Sequence, residues 1–149
     1  MPTHVLVPFD GSPLAKQAMR YASSEFDDCT VTALFVVDKS TDETAAVGWG
    51  DHPSEWDDWL TERRYHARDL FAEAQSIADD YGVTIQTGVA IGPVAKMTVE
   101  AAEEYGADLI VVGAHGQSLL DELLLGDVAK RLVRSSSIPV TTIRGELGE

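Results

Sequence analysis

Two glycine turns hold the residues best suited to chemistry. Val112-Gly113-Ala114-His115-Gly116 ends an apolar run, and Leu125-Gly126-Asp127-Val128 follows with its glycine ten residues after Gly116. Without a β-carbon, glycine lets the main chain approach a ligand and aim N–H groups at it. A helix start adds a favourable partial charge for an anion such as phosphate. The same glycines also serve as tight turns, and their spacing alone does not choose between the two roles.

The other reactive side chains give weaker signals. Asp10, in Pro8-Phe9-Asp10-Gly11-Ser12, is a turn and capping carboxylate or a ligand-facing one. A histidine's unperturbed pKa lies near neutrality, yet no base or nucleophile stands beside His115 in sequence. His52 and His66 lack partners at metal-ligand spacing, and no metal-binding residue can be assigned. Cys29 is the only cysteine, so neither an intrachain disulfide nor a cysteine zinc site can form. Trp49 sits in a long loop where it could cover a ligand, whereas Trp56 and Trp59 keep helical spacing. No catalytic residue is identified.

The elements that must position these turns alternate. Val5–Val7 reads as a buried strand, and Ser12 and Pro13 as the N-cap and first residue of a helix with Leu14, Ala15, Ala18, Met19, Ala22 and Phe26 on its apolar face. Thr30–Val37 is a second strand. Residues 38–53 form a loop. From Trp56 to Tyr81 a three-four alternation through Leu60, Arg63, Ala67, Leu70, Ala74 and Ile77 marks a long helix, stopped by Gly82. Val83–Val89 is a third strand. After Gly92-Pro93 a helix presents Val94, Met97, Ala101 and Tyr105 inward until Gly106. Leu109–Val112, apolar throughout, suits a central parallel strand covered on both faces. Asp127–Arg134 and Pro139–Arg144 complete the pattern as helix and strand. Such alternation predicts an α/β fold, a parallel sheet with helices on both faces, as one domain over residues 1–149.

Charge narrows the function classes. The chain carries 25 acidic and 11 basic residues, a formal net charge of -14. Its basic residues are scattered along the sequence, which argues against a nucleic-acid binder, since such proteins cluster cations to displace counterions. A surface poor in Lys and rich in Asp suits a cytoplasm of high salt, where repulsion among carboxylates is screened. The N-terminal segment has neither the basic start nor the apolar length of a signal peptide, and no stretch is long enough to span a membrane. The expected location is cytoplasmic.

Gly113, two residues, Gly116, nine residues and Gly126 reproduce the glycine spacing of the ATP-binding motif in universal stress proteins. Val7-Pro8-Phe9-Asp10-Gly11-Ser12, Val36-Val37-Asp38 and Ile138-Pro139-Val140 match that family's other landmarks in order, so the resemblance covers essentially the whole chain. It implies an open, Rossmann-like five-stranded parallel sheet in the order 3-2-1-4-5, with the Asp10 turn beside the Gly113 turn. It further implies a nucleotide site in which Pro8, Asp10 and the backbone at Val36 hold adenine and ribose. Val112, Gly113, His115 and Gly116 would line ribose and phosphates, and Gly126, Asp127 and Val128 would receive the phosphate tail. The family often has His at the place of His115 without a known catalytic role. A homodimer through Val140, Thr141, Thr142, Ile143 and Arg144 is implied as well.

One residue departs from that pattern. ATP-binding members usually carry Ser or Thr after the last glycine, where this chain has Asp127. Asp caps a helix equally well, but its ionised carboxylate accepts hydrogen bonds without donating them, and it repels phosphate. Three outcomes follow: Mg²⁺ or Mn²⁺ bridges Asp127 to ATP, a less charged adenine nucleotide binds, or the site is vestigial. The sequence thus favours a dimeric, nucleotide-binding stress-response module. The rivals are an apo interaction module and a slow ATPase or phosphotransferase.

Overall fold

In the computed structural model, residues 2–37, 53–113 and 127–144 are described. The chain runs β1 (His4–Pro8), α1 (Pro13–Glu25), β2 (Thr30–Val37), α2 (Pro53–Asp79), β3 (Gln86–Ile91), α3 (Val94–Tyr105), β4 (Leu109–Gly113), α4 (Asp127–Ser135) and β5 (Val140–Ile143). The strands form one five-stranded sheet, ordered β3-β2-β1-β4-β5, and every pairing is parallel. Both the order and the helix placement agree with the sequence-based expectation.

Two apolar clusters sandwich the sheet. On one face Val5, Val7, Val31, Ala33 and Phe35 meet Ala18, Met19 and Ala22 of α1 and Ala67, Leu70 and Ala74 of α2. On the other, Leu6, Leu34, Ile110 and Val112 meet Ala95, Ala101 and Ala102 of α3 and Ala129 and Leu132 of α4. Period-two alternation along β1 sends Val5 and Val7 to one cluster and Leu6 to the other. The central strands are therefore apolar without interruption.

Local chemistry sets the element boundaries. At α1, Ser12 Oγ accepts from the Ala15 N–H at 3.3 Å and Pro13 fills the first turn, as the sequence predicts. The long helix begins at Pro53, three residues before Trp56, and Trp59 is buried. Tyr81 lies beyond the end of α2 and is exposed.

Two readings need correction. The third strand begins at Gln86, not Val83, because helix α2 claims the backbone of residues 83–85 first. The Val83 N–H donates to the Ala78 carbonyl at 3.1 Å. Gln75 donates to the Val83 carbonyl at 2.9 Å and accepts from the Ile85 N–H at 3.1 Å. Helix α3 buries Ala95, Thr98, Ala101 and Ala102, a set that shares only Ala101 with the predicted face. Small side chains let its axis approach the sheet, and the larger Val94 and Met97 are left at the flanks. Tyr105 is exposed, with its hydroxyl over Gly88, where a β-carbon would lie 2.5 Å from it.

Candidate functional site

The site is set by where β1 stops. Pro8 is paired with Leu34, so β2 continues three residues past the end of β1, to Val37. On the other side Leu6 pairs with Ile110, which puts Pro8 level with Val112, so β4 runs one residue past β1, to Gly113. The last bond from β1 to β2 is donated by the Phe9 N–H to the Leu34 carbonyl at 2.7 Å. Phe9 is buried, and the chain then leaves the sheet through Asp10, Gly11 at φ +81° and Ser12 to enter α1.

Peptide groups along a strand face its two neighbours alternately. The Leu34 carbonyl faces β1 and the Val37 carbonyl, which accepts from Gly92 N–H at 2.9 Å, faces β3. Val36 therefore directs its N–H and carbonyl towards β1, beyond the point where β1 ends. On β4 the Ile110 N–H donates to the Pro139 carbonyl at 2.9 Å, facing β5. Gly113, three residues on, faces β1. The main-chain groups of Val36 and Gly113 thus both face the line of β1 from its two sides at the point where that strand ends. This is the strand-order reversal where open α/β sheets bind ligands.

The remaining predicted residues are placed as follows. Pro8 closes β1, and with no N–H it contributes no donor at that end. Asp10 Oδ1 accepts from the Ser12 N–H at 2.9 Å, an Asx turn that holds the bend into α1. Val112 is buried in the second cluster, and its peptide group belongs to the β4–β5 ladder, so it forms a wall. Asp127 is the first residue of α4, and Val128 is partly buried against the second cluster. His115, Gly116 and Gly126 lie outside the described residues, as do Trp49 and His52. Among the described residues no group of three His, Cys, Asp or Glu is arranged to hold a metal ion. No described helix is long and apolar enough to cross a membrane.

Packing requires the glycine at Gly113, whereas at Gly11 the positive φ requires it and the near neighbour is a flexible side-chain tip. A β-carbon on Gly113 would stand 2.9 Å from Cβ of Leu14, and one on Gly11 would stand 2.7 Å from Cδ2 of Leu70. Sequence reasoning missed these contacts, since neither leucine is near its glycine in the chain.

A parallel sheet with its first strand at the centre, and strand order that reverses there, defines a doubly wound α/β fold. Comparison with known proteins makes it specific: the model of the universal stress protein family matches residues 1–144, and the chain belongs to that family. It is 32% identical to universal stress protein MJ0531 of Methanocaldococcus jannaschii over 143 residues, covering 94% of this chain and 81% of that protein. Among solved structures, hypothetical protein MJ0577 superposes with a TM-score of 0.77 at 26% identity, covering 97% of this chain and 96% of that one. Universal stress protein UspA of Lactobacillus plantarum gives 0.76 at 26% identity, covering 95% and 97%.

Proposed function

We propose that this chain is a cytoplasmic stress-response module that binds an adenine nucleotide in the gap at the end of β1 and acts on its partners as a homodimer. The main-chain groups of Val36 and Gly113 carry the proposal. They supply donors and acceptors on rigid strands, which suits the fixed edge of a base and a ribose. Asp10 keeps one carboxylate oxygen for the Asx turn and has a second for a ribose hydroxyl. The N-terminal turn of α1 stands beside it. His115, Gly116, Gly126, Asp127 and Val128 are assigned to the phosphates by their match to the family motif.

Two fold neighbours support the ligand class. A universal stress protein in complex with cAMP superposes with a TM-score of 0.66, and one from Archaeoglobus fulgidus in complex with dAMP with 0.62. At 23% and 19% identity they share the fold with this chain; nucleotide binding here is our inference. A second reading, an interaction module with a vestigial site, is favoured by Asp127 at the start of α4, where its charge opposes a phosphate tail.

Freshly purified protein is denatured and the supernatant analysed for nucleotide, then the emptied protein is titrated by calorimetry with ATP, AMP and adenosine, with and without Mg²⁺ or Mn²⁺. Saturable binding of any of these supports the first reading. No release and no binding under all conditions leaves the apo module.

A further inference from the structure

On the α3–α4 face of the sheet lies an open groove of about 520 Å³ that shares no residue with the gap at β1. Its lining combines the apolar Pro93, Ala95 and Val99 with the cations Lys96, Arg131 and Arg134 and a single carboxylate, Glu100. None of these three cations has an ion-pair partner among the described residues, whereas Lys16 pairs with Glu73 and Arg63 with Glu62. On a chain of net charge -14 this is a local reversal of sign. The sequence gives the basic residues as scattered, but the fold brings Lys96 beside two arginines that share one face of α4.

The start of α3 adds a second demand for negative charge. Its N-cap is Pro93, which offers no side-chain acceptor to the first-turn N–H groups. Such groups carry a partial positive charge and are ordinarily capped. Pro93, Ala95 and Lys96 of this helix start line the groove together with Arg131 and Arg134.

We propose that the α3–α4 groove docks an acidic segment of a partner protein, with an apolar side chain seated on Ala95 and Val99 and carboxylates on Lys96, Arg131 and Arg134. The groove's shape favours a peptide over a small anion. Small-molecule sites enclose most of their ligand, whereas this cleft is open along its length between two helices. A lining that mixes apolar side chains with cations is complementary to a segment that alternates apolar and acidic side chains.

The test uses the full chain, immobilised and panned against a phage-displayed library of random twelve-residue peptides, with counter-selection on Arg131→Glu/Arg134→Glu. Enriched peptides are synthesised and their affinity measured by fluorescence anisotropy. Peptides of net negative charge with at least one large apolar residue are expected. Their binding should weaken roughly five- to tenfold in the charge-reversed variant and fall with added salt. Arg131→Lys/Arg134→Lys should retain most of it, and circular dichroism of each variant checks the fold. If reversal disturbs the fold, Lys96→Gln/Arg131→Gln gives the same comparison with smaller expected losses. Enrichment of neutral or basic peptides, affinity indifferent to every substitution, or no enrichment at all overturns the proposal. Displacement of a selected peptide by millimolar inorganic phosphate at constant ionic strength would instead make the groove a small-anion site and overturn it equally.

Discussion

Gly113 and Leu14 touch so closely that a β-carbon on the glycine would sit 2.9 Å from Cβ of Leu14 and 3.4 Å from its carbonyl carbon. The obstacle is the root of a side chain and a helix backbone, not a flexible tip, so Gly113→Ala must push the first turn of α1 away from β4. Overpacking of this kind costs about 1–3 kcal/mol. The variant should melt several degrees lower with no nucleotide present, and Leu14→Ala should not rescue it, because alanine keeps the offending β-carbon. A Gly113→Ala protein as stable as the wild type would show that α1 yields freely. Loss of nucleotide binding in Gly113→Ala therefore has to be read against its stability.

Acid stability should depend on Asp108. Its carboxylate accepts from the Thr3 N–H at 2.9 Å, from Thr3 Oγ1 at 3.2 Å and from the His4 N–H at 3.1 Å, tying the start of β1 to the entrance of β4. The Thr3 backbone bond is the main influence holding its pKa below the usual value, against a smaller opposing effect of burial. A depressed carboxylate stabilises the fold fully above its unfolded pKa of about 3.9 and loses that contribution as pH falls through the folded value. Asp108→Asn should lower the melting temperature at pH 7 by a few degrees, and the gap to wild type should close below about pH 4. A gap independent of pH would mean the carboxylate's charge is not what holds the strand.

The sheet was legible in the sequence because its central strands bury both faces and are bounded by Asp10-Gly11, Gly82, Gly92-Pro93 and Gly106. The strand order came from the family landmarks, as alternation alone allows several orders. Strand β3 starts three residues later than its apolar run suggests, because the claim on its lead-in belongs to Gln75, a polar residue on another element. The inner face of α3 does not follow hydrophobicity, because close approach to the sheet selects small side chains. For the candidate site the glycines and Asp10 were readable, but the orientation of the Val36 peptide group depends on pairing phase along the sheet. The Lys96–Arg131–Arg134 groove left only one trace, the three-residue spacing of its arginines.

Salt should stabilise the protein. The excess of 25 acidic over 11 basic residues leaves most carboxylates to repel one another, and the Debye length falls from about 10 Å at 0.1 M salt to about 3 Å at 1 M. The melting temperature should climb steadily across that range. Potassium chloride and sodium chloride should act alike if screening is the cause. A flat response would remove both the electrostatic account and the high-salt habitat inferred from it.

The proposed dimer can be tested at one residue. The Ile110 N–H bond to the Pro139 carbonyl fixes the phase of the β4–β5 ladder, so Thr141 and Ile143 face β4 while Val140 and Thr142 point their peptide groups off the open edge. Thr142→Pro removes an N–H from that edge alone, and edge strands tolerate proline. Light scattering should then show monomers, with the monomer's circular dichroism unchanged. A dimer that survives the substitution would place the interface elsewhere.

Asp127 is the place where the glycine motif is kept and its chemistry reversed. It begins α4, so Asp127→Ser keeps a residue suited to a helix start, and the fold should be nearly unaffected. The substitution removes a negative charge and restores a hydroxyl donor for phosphate. Relief of one repulsive contact of about 1–3 kcal/mol would tighten metal-free ATP binding roughly five- to a hundredfold. AMP and adenosine should respond progressively less, as fewer phosphate charges lie near the side chain. Calorimetric titration of both proteins with the three ligands decides the matter. Equal ATP affinities would mean that residue 127 does not face the phosphates. A wild type that gains affinity on adding Mg²⁺, while the variant does not, would instead point to a cation held between Asp127 and the triphosphate.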